Sequence, residues 1–227
     1  HSYLFTGPES VGKSTAALLF AQALNCEADP DDAPCGRCRS CLLIERGNHP
    51  DVRVLKPDQA KRKAVIPIET IRQDFVYDVH LRPVMGRYKV YLLDHIERTA
   101  HLAVHTILKT LEEPPPYVVT IIVTESPTEL PPTIPSRCQK VAFQLAGTRA
   151  IEARLREDGL APETAAAIAR LSGGRVGWAL RASRRPELLA ARKALLELCA
   201  RAAGAGLPAA LRIAEEIRVQ AALLARG

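Results

Sequence analysis

The sequence predicts an α/β fold, a parallel sheet that carries a phosphate-binding loop, followed by a small all-α region. Three observations predict it. Gly7-Pro8-Glu9-Ser10-Val11-Gly12-Lys13-Ser14 matches G-x-x-x-x-G-K-S, whose glycines let successive backbone N–H groups turn toward phosphate oxygens. Short apolar runs alternate with segments of helical periodicity through Val141-Ala142-Phe143, the pattern of βαβ units around a parallel sheet. From about residue 147 the composition shifts to Ala, Arg, Leu and Glu, with no further strand-like run.

Each element has its own signal. Tyr3-Leu4-Phe5-Thr6 is expected as a short strand leading into the loop. Lys13 to Asn25 is expected as a helix, with Ala17, Leu18, Phe20, Ala21 and Leu24 as its buried stripe. Residues 26–50 are polar, Cys-rich and dotted with Pro and Gly, as befits an insertion. Val52-Arg53-Val54-Leu55 is a second strand, and Ile68, Ile71, Phe75 and Val76 follow at helical spacing. Val90-Tyr91-Leu92-Leu93 is nearly continuous in apolar residues, as a strand covered on both faces should be. A helix from about Thr99 to Glu113 carries Val104, Ile107, Leu108 and Leu111 on one face. Pro114-Pro115-Pro116 stops it, because proline cannot continue a helix and restricts the residue before it. Val118 to Thr124 is a fourth strand and Val141-Ala142-Phe143 a short fifth. Helices are expected near 148–158, 162–171, 175–182 and 186–203, punctuated by Gly173-Gly174 and Pro186, with the start of another beyond.

Hydrophobic residues at 47% and charged ones at 25% are ordinary for a soluble globular chain. No apolar run approaches the roughly 18 residues that cross a bilayer, so no membrane association is expected. The opening residues already belong to a strand and a motif, so no signal peptide is expected. The first residue is His1 and not Met, so upstream residues are expected to be missing. The expected location is the cytoplasm. A net charge of +6 favours acidic partners such as nucleotides or nucleic acid, though only weakly.

Of six cysteines, Cys26, Cys35, Cys38 and Cys41 cluster as C-x8-C-x2-C-x2-C. A chain of this size is a poor candidate for a disulfide framework, and the clustering points to metal. Four thiolates in one loop, with Gly36 easing the turn, suit tetrahedral structural zinc. An iron–sulfur cluster is the main alternative, but the ferredoxin run has a different fourth spacing and a following proline; free thiols are another. Cys138 and Cys199 lie outside the cluster, and Cys199 is expected in the core.

The expected nucleotide set is Gly7, Gly12, Lys13, Ser14, Thr15, Asp94 and Thr124. Lys13 would reach the β- and γ-phosphates and the Ser14 hydroxyl would ligate Mg²⁺. Asp94 ends the third strand, where an ATPase needs an acid for the same ion. Where many such enzymes then place a Glu that orients the attacking water, this chain has His95. Glu97, three residues beyond Asp94, is not required to face the phosphate. Hydrolysis is therefore expected to be slow or absent; an inherited loop that holds no nucleotide is the alternative.

Four features together resemble bacterial clamp-loader subunits of DNA polymerase III in the AAA+ superfamily. They are Leu108-Lys109-Thr110-Leu111-Glu112-Glu113-Pro114-Pro115, the strand-ending Asp94, Ser136-Arg137-Cys138 and the four-cysteine insertion. The resemblance runs from Tyr3 to about residue 182. It implies an AAA+ domain over 1–146 with a zinc module at 26–41, a helical lid over 147–183, and the start of a helical collar over 184–227. Two kinds of subunit share these motifs, the gamma/tau motor and delta-prime. Gamma/tau-like proteins carry Asp-Glu where this chain has Asp94-His95, and a sensor-2 arginine where it has Gly177, with Arg175 two residues early. Both departures make the chain more similar to delta-prime. His105 stands where the family usually has Asn and is assigned no consequence.

The resemblance further implies that Arg137 is an arginine finger for ATP bound by an adjacent gamma/tau subunit, where a guanidinium would neutralise transition-state charge. Pairing of Arg137 with a local carboxylate is the alternative. Thr124 matches the sensor-1 position. Lys109 to Pro115 offers no catalytic group, and Glu112 and Glu113 are expected to face solvent or a partner subunit. Arg72, Lys109 and Arg175 are candidates to face DNA. The implied role is that of a stator in a pentamer that opens the sliding clamp and places it on primed DNA. The implied partners are gamma/tau and delta subunits, the clamp and primer-template DNA, with structural Zn²⁺ and ATP with Mg²⁺ as cofactors. A gamma/tau-type motor ATPase and a non-replicative, zinc-bearing AAA+ adaptor are the alternatives.

Overall fold

A computed structural model describes residues 1–57, 65–98, 101–206, 209 and 212–218. The chain divides into two compact units, His1–Gln144 and Leu145–Gly227. In the first, β1 (Ser2–Thr6) leads through the loop into α1 (Lys13–Asn25), and a short α2 (Arg39–Glu45) precedes β2 (Val52–Leu55). One turn of helix, α3 (Ile68–Ile71), then precedes β3 (Lys89–Asp94); α4 (His101–Glu112), β4 (Val118–Thr124) and β5 (Gln139–Ala142) complete the unit. The five strands lie in the order β2-β3-β4-β1-β5, and every pairing is parallel.

A parallel sheet gathers the C-terminal ends of its strands along one edge, where open α/β sheets bind ligands. The register here sets Thr6 opposite Thr124 and Asp94 opposite Val123. The loop after β1 therefore emerges beside the ends of β3 and β4. Alternate residues point to opposite faces, so β1 to β4 each feed two cores. Leu4, Tyr91, Leu93 and Ile122 pack with Ile71, Phe75, Ile107 and Leu111 on one side. Phe5, Val90, Leu92 and Ile121 pack with Ala17 and Ala21 of α1 and Ile44 of α2 on the other. That double coverage explains the unbroken apolar runs of β3 and β4.

Several boundaries differ from expectation. The insertion at 26–50 contains the seven-residue helix α2. The segment carrying Ile68, Ile71, Phe75 and Val76 is not one helix: after α3 it widens to a π-turn over Arg72–Tyr77 and tightens to a 3₁₀ turn over Asp78–His80. Long-range contacts set that ending, since Asp78 accepts from Tyr91 Oη at 2.7 Å and pairs with Lys89 Nζ at 2.9 Å. β5 starts at Gln139 and stops before Phe143. It is an edge strand with mostly exposed side chains, so its polar start has no apolar signature. Residues 99–100 and the side chains of 101–106, including Val104 and His105, lie outside the described residues.

The second unit is helical: α5 (Thr148–Glu157), α6 (Pro162–Leu171), α7 (Val176–Ser183) and α8 (Pro186–Ala203). Ile151, Leu155, Ala165, Ile168, Ala169, Ala179 and Ala182 form its core. Small alanines let these short helices approach closely. Cys199, expected in the core, is exposed on α8; its neighbour Leu198 takes the buried direction instead.

Candidate nucleotide site and metal centre

The loop after β1 is shaped by left-handed backbone at Gly7 (φ 144°), Ser10 (φ 61°) and Gly12 (φ 102°). A Cβ at Gly7 would collide with the Phe143 carbonyl oxygen, so the turn and the end of β5 together require glycine there. Lys13, at the start of α1, is 5% exposed. Its ammonium donates to the Gly7 and Pro8 carbonyls at 2.8 and 2.7 Å, which holds the loop in a curl. Burial pulls the Lys13 pKa below its ordinary value, against the opposing pull of Glu125, Asp94, Glu97 and Glu9.

Ser14 Oγ donates to Asp94 Oδ2 at 3.0 Å, joining the two residues expected to share Mg²⁺. Asp94 Oδ1 is buried with no hydrogen-bond partner. A hydroxyl, a carboxylate and an orphaned carboxylate oxygen are oxygen donors suited to a hard cation. Thr124 is fully buried, and its Oγ1 accepts from Ser126 N at 3.2 Å. Thr15 is exposed on the first turn of α1.

His95 adopts a left-handed φ of 54° and donates its backbone N–H to Val123 O at 3.0 Å. Its Nδ1 lies 3.2 Å from Glu97 Oε1, while Nε2 lies 3.8 Å from Asp94 Oδ1 and 3.9 Å from Glu125 Oε1. Glu97 and Glu125 thus stand with Asp94 around the His95 imidazole. The chain enters a 3₁₀ turn at Ile96–Arg98 immediately after β3, and such a turn brings residues three apart to one side. Burial works to raise the Glu97 pKa, but hydrogen bonds from His95, its own backbone and Thr124 outweigh it and hold the pKa below the usual range. The spacing of Asp94 and Glu97 was the available signal.

Arg137 follows a turn beyond β4. Its Nη2 pairs with Glu112 Oε1 at 2.6 Å and its Nη1 donates to Thr133 O at 2.9 Å. The isolated chain thus pairs Arg137 with a local carboxylate. Glu112 accordingly faces Arg137 and is not simply turned to solvent. Cys138, half-buried beside the core, has its thiol pushed up to about 11 by burial. Among the basic candidates, Arg72 pairs with Glu69 at 3.2 Å, while Lys109 is exposed and Arg175 caps the start of α7 from an exposed position. Gly177 is the second residue of α7.

The sulfurs of Cys26, Cys35, Cys38 and Cys41 all lie within 4.8 Å of one another. Backbone N–H groups of Cys35, Cys38 and Cys41 point at the sulfurs of Cys26, Cys35 and Cys38 at 3.5, 3.4 and 3.4 Å. Such donors stabilise thiolates, and N–H groups of Arg37 and Cys38 pull the Cys35 pKa down to about 6. Burial pushes Cys41 up to about 12. Four sulfurs at this separation fit a closed tetrahedral metal site. The module is tied to its surroundings by Gln22 Nε2 donating to Cys41 O at 2.9 Å and by Ser40 Oγ, which lies 3.3 Å from His49 Nε2.

A family model described as DNA polymerase III, delta subunit, matches residues 1–146. The DNA polymerase III tau subunit of Bacillus subtilis is 40% identical over 155 residues, covering 68% of this chain and 26% of that protein. The tau/gamma subunit of Haemophilus influenzae is 44% identical over 138 residues, covering 61% and 19%. The delta' subunit of Bacillus subtilis is 34% identical over 198 residues, covering 87% of this chain and 58% of that protein. The chain therefore spans about a quarter or less of the two tau-type relatives and just over half of the delta' one. RuvB of Thermotoga maritima is 15% identical with a TM-score of 0.52, covering 85% of this chain and 56% of that one. That likeness shows the fold alone. Among the described residues, no helix is long and apolar enough to cross a membrane.

Proposed function

The chain belongs to the DNA polymerase III clamp-loader family of AAA+ subunits, and on that basis we propose that it acts as a delta-prime-like subunit of the bacterial replicative loader. In this reading it is a stator. It helps gamma/tau and delta subunits open the sliding clamp and place it on primer-template DNA in the cytoplasm. Arg137 is its catalytic contribution, as an arginine finger on the ATP of a neighbouring gamma/tau subunit. To act so, the guanidinium exchanges Glu112 for phosphate oxygens. That exchange is feasible because Glu112 is about half exposed and an exposed ion pair is worth at most about 1 kcal/mol. The domain limits proposed are 1–146, 147–183 and 184–227, and the four cysteines hold zinc.

The observation that carries the stator reading is His95. A water-orienting carboxylate directly after Asp94 is replaced by an imidazole ringed by Asp94, Glu97 and Glu125. Gly7, Gly12, Lys13, Ser14 and Thr15, with Asp94 and Thr124, would still hold nucleotide and Mg²⁺. Bound nucleotide would exchange two loop carbonyls for phosphate oxygens at Lys13 Nζ. The charge distribution supports the DNA part: residues 1–144 balance 17 basic against 17 acidic side chains, while residues 145–227 carry 14 against 8. The whole excess of positive charge lies in the second unit, where attraction for a polyanion would be concentrated.

A gamma/tau-type motor is the second reading, favoured by the 40% and 44% identities over the loop-bearing region. The test is ATP turnover by the purified chain, read together with its co-assembly with gamma/tau and delta subunits in gel filtration. The stator reading expects co-assembly and negligible turnover alone. Rapid turnover alone would establish the motor, and failure to co-assemble would favour a non-replicative adaptor.

A further inference from the structure

The loop assigned above to nucleotide faces more fixed negative charge than cation binding alone requires. Asp94 ends β3, Glu97 sits in the 3₁₀ turn that follows, and Glu125 comes directly after β4. All three converge on one imidazole, at 3.8, 3.2 and 3.9 Å. The Glu97 side chain is only 5% exposed, and its Oε2 has no hydrogen-bond partner, as is true of Asp94 Oδ1. Buried carboxylate oxygens without partners are costly to maintain, so two of them around one imidazole favour whatever brings a positive charge. Lys13, which feels the charge of Glu125, Asp94 and Glu97, gives two of its three donors to loop carbonyls. Asp94 is engaged by Ser14 and Glu97 Oε1 by His95, yet Glu97 Oε2 keeps no partner and Glu125 reaches the cluster only through a 3.9 Å approach to the imidazole.

These two carboxylates act on any ligand of the loop through charge. A nucleotide without a metal ion would bring several negative charges toward three carboxylates that only one imidazole and a single lysine offset. A triphosphate would bring one more negative charge than a diphosphate. We infer that Glu97 and Glu125 make this a charge-selective site, one that admits nucleotide only as its divalent-metal complex and holds ADP in preference to ATP. The inference rests on the nucleotide reading of the loop and specifies its ligand. It gives the chain a site that, once filled, favours a diphosphate resting state.

The test is calorimetric titration of the full chain with ADP and with a non-hydrolysable ATP analogue, each with Mg²⁺ and with EDTA. Expected for the wild type are tighter binding of Mg-ADP by about tenfold, the scale of one added charge in a partly buried site, and no detectable binding in EDTA. Glu97→Gln and Glu125→Gln each keep the side-chain shape and remove a charge. Each is expected to tighten the ATP analogue by about threefold to tenfold, moving the ratio toward one, and the double variant is expected to bind ADP in EDTA. Unchanged zinc content and thermal midpoint report that the variants are folded. Should Glu97→Gln not fold, Glu125→Gln carries the test, since Glu125 is 29% exposed. Binding by the wild type with equal affinities, or ratios unmoved in the variants, overturns the inference and leaves the nucleotide reading standing. No binding by any form removes both.

Discussion

Asp51 is 2% exposed, and its carboxylate accepts the backbone N–H groups of Val84, Met85 and Gly86 at 2.7, 2.8 and 2.7 Å. Burial alone would raise its pKa, but the three donors more than offset it and hold the carboxyl below the usual range. Asp51→Asn replaces a charged acceptor by a weaker one and forces an amide toward N–H donors. It should cost about 2 kcal/mol, seen as a lower urea midpoint at pH 7. A depressed pKa contributes stability that is complete above the unfolded value, about 3.9, and is lost as pH falls through the folded one. The gap between wild type and variant is therefore expected to narrow below about pH 4; a gap that is constant down to pH 2 would count against the carboxylate as its source. At this scale the glycines and Lys13 of the loop were legible, because their roles are local. Asp51 was not, since its partners come from a segment more than thirty residues away that only folding brings near.

The four-cysteine module buries Ile44, Cys26 and Cys41, and a metal held by its clustered sulfurs is expected to supply the rest of its order. α2 has seven residues, well short of the length at which an isolated helix holds itself together. Cys38 caps it, its sulfur accepting from Cys41 N, so one cysteine both ends the loop and starts the helix. Metal removal by chelator is expected to strip amide protection from about residues 26–45 while β3 and β4 keep theirs, as hydrogen exchange would report. Cys38→Ser should reproduce that pattern. Protection that survives both changes would mean that the metal is not what orders the module. The spacing of the cysteines announced the module, and Lys13–Asn25 announced α1, because a metal site of nearby ligands and an amphipathic helix are both local patterns. The π-turn at Arg72–Tyr77 and the polar start of β5 had no such pattern, being fixed by Asp78 on Lys89 and Tyr91 and by pairing along β1.

For the whole molecule the informative residue is Arg137, whose partner in the isolated chain differs from the one proposed for the assembly. Arg137→Ala removes an exposed ion pair with Glu112, so the thermal midpoint of the chain alone should move little. In the reconstituted loader the same variant should assemble normally and lower ATP turnover by at least about tenfold, given the larger effects typical of arginine fingers. Unchanged turnover would confine Arg137 to its local ion pair. The phosphate-binding loop, the alternation of strands and helices, the four-thiol cluster and the helical second unit were determined by the sequence by itself, since each depends on residues close together in the chain. The tertiary structure alone decided that Asp94, Glu97 and Glu125 ring His95 beside Lys13, and that Glu112 holds Arg137. Parallel pairing of β3 with β4 brings Glu125 beside Asp94, His95 and Glu97, and folding brings Glu112 to Arg137, because charges act on each other through space and not along the chain.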